Sequence, residues 1–189
     1  MHGIHFSARQ IAFLSVMGAL SFILDFFHFP ISIPGSHGIY WVIPIIFGAG
    51  VVKKLGSATY IGFIAGILIG SAGLEAIGPF AFLEYLLMGF VIDLLALAFR
   101  GYMKNVIVGF VIGSAGNLSK LAAHYSLFIV LGMSKMHLIL IGFGVAMISY
   151  FIFGGLGGVI TSILLRGCER YLQSALTSLS GQPVKQMKK

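Results

Sequence analysis

Residues 105–131, NVIVGFVIGSAGNLSKLAAHYSLFIVL, decide how the rest of the chain is read. The run is longer than the roughly 20 apolar residues that carry a helix across a bilayer core. Yet its centre, Asn117-Leu118-Ser119-Lys120-Leu121-Ala122-Ala123-His124-Tyr125, carries an amide, an ammonium and an imidazole. Asn117, Lys120 and His124 are spaced i, i+3, i+7 and share one face of a helix. Ionisable groups at membrane depth are costly and face a cavity or a partner. The stretch therefore predicts a membrane helix with one functional face.

The composition agrees. The 189 residues are 58% hydrophobic and 9% charged, where a soluble domain is about a quarter charged. An integral membrane protein embedded in the lipid bilayer is expected. The formal net charge of +7 falls in the gaps between apolar runs, so it reports topology and not nucleic-acid binding. The single cysteine, Cys168, excludes an internal disulfide. The first apolar run, about 8–29, exceeds a signal-peptide core of about 7–15 residues and reads as a retained span.

Six apolar segments follow one another at about 8–29, 39–52, 56–72, 80–99, 105–131 and 136–165. They predict one all-α membrane domain over 1–189, with a polar basic tail from 166 to 189. The second and third are short for a vertical span and the last two are long. Arg9, Lys53, Lys54, Arg100, Lys104, Arg166, Arg170, Lys185, Lys188 and Lys189 fall on one side of a six-span arrangement. Lys135 alone falls on the other side, and Lys120 lies within a span. By the positive-inside bias both termini are expected to be cytoplasmic.

Small residues recur at helical spacing: Gly62, Gly66 and Gly70; Gly109 and Gly113; Gly154 and Gly158. Span one carries Ala8 with Ala12, and Ser15 with Ala19. Such faces let helix backbones approach closely, within one chain or against a partner.

Five carboxylates are present. Asp25 reads as an interfacial residue reaching to water, Glu75 as an exposed acid of an outer loop, and Asp93 as a structural polar contact. Glu84 lies one turn into span four, at a depth overlapping Lys120 and His124. A Glu84–Lys120 ion pair that joins two helices and a ligand pocket open to the outside are both consistent with this placement. Tyr40, Trp41, Phe80, Phe82, Tyr85 and Tyr125 crowd the same side. An interfacial aromatic belt explains them in part, and a flat or cationic ring held between them would use them with Glu84.

Several chemistries are set aside. The chain has no Walker motif, no HExxH and no Gly-x-Ser-x-Gly, so nucleotide hydrolysis and those peptidase and esterase routes are not expected. The histidines show no metal-ligand spacing. No cofactor is expected, and the chain is read as non-enzymatic.

Particular strings resemble a family. Val42-Ile43-Pro44-Ile45-Ile46, the basic turn Lys53-Lys54-Leu55-Gly56, the glycine-spaced third span, Leu83-Glu84-Tyr85 and Lys120-Leu121-Ala122-Ala123-His124 are similar to the substrate-binding S components of energy-coupling factor (ECF) transporters. The closest likeness is to the thiamine and hydroxymethylpyrimidine types. The resemblance covers spans one to five. It implies capture of a small vitamin from outside, and uptake driven by a transmembrane coupling protein and two ATPase subunits. It also implies ligand contacts by Glu84, Tyr85, Lys120 and His124. The family's aromatic residue in the last outer connection would fall near Met133, and its asparagine early in span six has no counterpart between His137 and Tyr150. This departure leaves room for the pyrimidine precursor beside intact thiamine. The family's partner-packing Ala-x-x-x-Ala is matched by Ser15 with Ala19 and, as a rival, by Ala8 with Ala12.

The expected site thus comprises Glu84, Tyr85, Lys120, His124, Asn117, Tyr125, Tyr40 and Trp41, with His37 in a lid at 30–38. Three alternatives remain at this level: a stand-alone permease or channel lined by Lys120, an enzyme using His124 as base, and polar groups that only join helices.

Overall fold

In a computed structural model, residues 5–27, 33–75, 77–132 and 142–168 are described. They form six α-helices: α1 (Ala8–Phe26), α2 (Gly38–Val52), α3 (Ser57–Ser71), α4 (Ala81–Ala98), α5 (Val106–Val130) and α6 (Phe143–Gly167). A short 3-10 turn, Gly78–Phe80, precedes α4, and the described residues contain no strand. The helix bounds fall within three residues of the expected segments for α1 to α5. The start expected for the last span, and Met133, His137 and Arg170, lie outside the described residues.

Local chemistry sets the helix ends. Ser7 and Gln10 form a reciprocal capping box at the start of α1, which satisfies two backbone donors that the first turn leaves unpaired. Asn105 Oδ1 accepts from Ile107 N at 2.9 Å and starts α5. Asp93 of α4 caps α3 from outside: its carboxylate accepts from Ala58 N at 3.0 Å, Thr59 N at 2.8 Å and Thr59 Oγ1 at 2.7 Å. Asp93 is thus a structural contact, as expected, and its partner is a helix N-terminus, where an anion is favoured.

The helices close into a ring in the order α1, α2, α6, α5, α4, α3 and back to α1, with α2 also touching α3, α4 and α5. Most of α2 is buried, and Leu14, Val42, Ile45, Ile61, Ala65, Met88, Ile92 and Ile112 form the shared core around it. Glycines make the closest approaches. A Cβ on Gly113 would strike the Gly154 carbonyl, and one on Gly62 would strike the Tyr85 carbonyl. The glycine faces of α3, α5 and α6 are therefore used within the chain.

The outer surface is apolar. Ile107 and Val130 are 73% and 80% exposed, and Val16 and Ile148 are exposed likewise. Among the described residues, four helices are long and apolar enough to cross a membrane; α2 and α3, at 15 residues each, span only about 22 Å. A hydrocarbon solvent suits such a surface, and the chain is a multi-pass membrane protein.

Candidate functional site

Lys53, Lys54, Arg100 and Lys104 gather at one end of the bundle. The other half holds a buried polar cluster contributed by five helices and two connections.

Lys120 is its centre, at 2% exposure. Its Nζ donates to Glu75 Oε1 at 2.6 Å and lies 3.3 Å from Glu84 Oε2. The other Glu84 oxygen, Oε1, meets His124 Nδ1 in a short hydrogen bond. The Tyr85 hydroxyl donates to Glu75 Oε1 at 3.4 Å. The ammonium also lies over two ring faces, 4.2 Å from the Trp41 centroid and 4.7 Å from that of Tyr85. The two rings meet edge to face at 5.5 Å. A desolvated cation over such faces gains about 2 kcal/mol or more.

Asn117 is the second node. Its Oδ1 accepts from Trp41 Nε1 at 3.2 Å, and its Nδ2 donates to the Tyr150 carbonyl at 2.9 Å. One amide thereby ties α5 to α2 and to α6. Gly38 is required beside it, because a Cβ there would occupy the Asn117 amide.

The third node lies at the rim. His37 Nδ1 is 3.4 Å from Asp25 Oδ1, and its ring packs 5.8 Å from Trp41. Asp25 is 4% exposed, so the expectation of a carboxylate reaching to water is overturned. The turn carrying His37 is seated on α6: Ser149 Oγ donates to the Pro34 carbonyl, and Gly35, at φ 76°, lies against the Tyr150 ring.

Glu75 is the larger correction. It was expected to be an exposed loop acid, but its side chain is 16% exposed and bonded to Lys120. Burial pushes its carboxyl up, and the Lys120 ammonium, with smaller contributions from His124 and the Tyr85 hydroxyl, brings it down to a pKa below the ordinary glutamate value. Nothing local marks Glu75, because the loop after α3 turns inward only through contacts with α4 and α5.

The structure thus joins Glu84, Tyr85, Lys120, His124, Asn117 and Trp41, with His37 at the edge. Tyr40 is half-buried one position before Trp41, about 100° around the helix. Tyr125 packs its ring on Phe143 at 5.5 Å. On α1, Ser15 bonds the Tyr60 hydroxyl at 3.1 Å and Ala19 is half-buried, whereas Ala8 and Ala12 are exposed.

Glu84 carries an oxygen whose contact is ionic only. Glu84 is fully buried, and its Oε2 accepts no hydrogen bond although Lys120 is near. Buried acceptors are rarely unsatisfied, and the neighbour of this oxygen is the Lys120 ammonium at 3.3 Å. Ligand atoms of Glu75, Glu84 and His124 lie within 4.8 Å of one another, a set able to hold a metal ion. The Lys120 ammonium already bridges the two carboxylates, so a cation there would have to displace it.

No known family profile and no curated protein matches the sequence. Among solved structures, an S component of an ECF transporter superposes on 95% of this chain and 100% of its own, with a TM-score of 0.60 and 19% identity. In its architecture this chain is similar to that S component, and the shared feature is the fold.

Proposed function

We propose that the chain is the membrane-embedded substrate-binding subunit of an ECF-type importer in the cell membrane. It spans six times with both termini in the cytoplasm. It captures a small amino-heterocycle from outside, with thiamine or its hydroxymethylpyrimidine precursor as the favoured ligands. A coupling protein and two ATPase subunits drive release, and this chain performs no chemistry itself.

The carrying observation is the buried Glu84 Oε2, which accepts no hydrogen bond and lies 3.3 Å from Lys120, whose ammonium lies over the rings of Trp41 and Tyr85. A ring amino group would satisfy that oxygen, and the two aromatic faces would hold the ring. A cationic heterocycle would compete with the Lys120 ammonium for the same carboxylates. The S-component likeness of the fold supports the reading. The exposed Ala8 and Ala12 make that pair the better-placed surface on α1 for a coupling protein, since Ser15 is engaged with Tyr60.

Titration of the purified chain with thiamine and with the pyrimidine tests this. Saturation at a hundredfold excess over Kd stabilises the fold by about 2.7 kcal/mol, read as a rise in melting temperature that Glu84→Gln abolishes. No rise with either compound removes the named ligands. Flux of solute by the chain alone in liposomes would instead make it a stand-alone permease.

A further inference from the structure

At the end of the bundle away from Lys120, a cavity of about 440 Å³ opens between the C-terminal ends of α2 and α4, the α4–α5 turn and the last turns of α6. Lys53, Lys54, Arg100 and Lys104 line it, against one acid, Asp93. Both Asp93 oxygens are committed to the start of α3. Lys54 donates to the His5 carbonyl and to Gln10 Oε1, and Arg100 to the Lys53 carbonyl. These acceptors are neutral, so the bonds leave the charges of Lys54 and Arg100 unbalanced.

The remaining wall is apolar and includes Leu97 and Leu165. Leu97, Leu94 and Phe90 are 46%, 46% and 49% exposed and share one face of α4. An apolar track therefore runs from the cavity along the outside of the bundle. Lys53 ends α2 with φ 54°, the only non-glycine residue at positive φ among those described. Glycine usually fills that position, so a lysine is held there at a cost in free energy.

We propose that this cavity binds the headgroup of an anionic phospholipid, with the acyl chains lying along Phe90, Leu94 and Leu97. Cations alone would serve any anion. Cations above an apolar wall at a membrane surface suit a phosphate that carries chains, and basic pockets between membrane helices take such headgroups. The assignment does not depend on which solute the Lys120 cluster takes.

The full chain, purified in neutral detergent, is offered phosphatidylglycerol and phosphatidylcholine of matched chains, and retained lipid is measured by native mass spectrometry. Phosphatidylglycerol is expected to be preferred. Lys53→Gly and Arg100→Gln should each weaken the preference about fivefold, the equivalent of about 1 kcal/mol per basic residue near an anionic surface. Arg9→Gln, outside the cavity, should leave it unchanged. Lys53→Gly also suits the left-handed backbone, so its melting temperature in phosphatidylcholine should be no lower than that of the parent. Equal retention of the two lipids, or a preference untouched by both cavity substitutions, would overturn the proposal. Stabilisation by inorganic phosphate as large as that by phosphatidylglycerol would overturn the lipid assignment in favour of a soluble anion.

Discussion

The Lys120 ammonium lies 2.6 Å from Glu75 Oε1, so a lysine well inside α5 is held by an acid of the α3–α4 connection. Glu84 flanks the same ammonium at 3.3 Å, which places one positive charge between two carboxylates. Lys120→Met should leave both acids facing each other in a buried site. A loss of about 3–5 kcal/mol is expected on removing one partner of a buried pair. Thermal denaturation of the purified chain measures it, and restoring most of that loss with Lys120→Met/Glu75→Gln would show that the acids are the cause.

Stability should also fall in acid. The folded-state pKa of Glu75 is depressed, so its contribution is present above the unfolded value and is lost as pH falls through the folded one. Melting temperature should therefore drop below the ordinary glutamate range, and Glu75→Gln should make the curve flatter there. A Glu75→Gln curve parallel to that of the parent would disprove the linkage.

Trp41 is the sole tryptophan, and the Lys120 ammonium lies over its ring. Its fluorescence should change in Lys120→Met, and also on binding of any ligand that displaces the ammonium. A spectrum identical in parent and variant would contradict the contact.

Asn117→Leu should cost about 1–3 kcal/mol, since it strips the partner from the buried Trp41 N–H and from the Tyr150 carbonyl. The effect is read as a fall in melting temperature with a shift in Trp41 emission. Asn117→Gln does not rescue the geometry, because the longer amide must fit against Gly38.

On α1 the two small-residue pairs should behave differently. Ser15→Leu removes the bond to Tyr60 and crowds α3, with an expected cost of about 1–3 kcal/mol. Ala12→Leu lies on the exposed face and should leave the melting temperature unchanged; under the proposed importer function it should weaken uptake driven by a coupling protein. Normal uptake in Ala12→Leu would exclude that face as the coupling surface.

Much of the buried polar cluster was readable from spacing. Asn117, Lys120 and His124 share a helix face whatever surrounds them, and an ammonium at membrane depth requires a counter-charge. Glu84 followed from depth alone. Glu75 and Asp25 did not. Both lie at helix ends or in connections, where a free carboxylate in water is the ordinary expectation and only the path of the chain decides otherwise.

By itself, then, the sequence determined the apolar segments, their order and the face of α5 that carries polar groups. These follow from local periodicity and from the cost of placing charge in hydrocarbon. Tertiary structure alone decided which acid takes the Lys120 proton donor, that Asn117 links Trp41 to Tyr150, and that Ser15 faces inward while Ala12 faces out. Those outcomes depend on how the ring of helices closes and on glycine contacts such as Gly113 against Gly154, which set interhelical distances no single segment specifies.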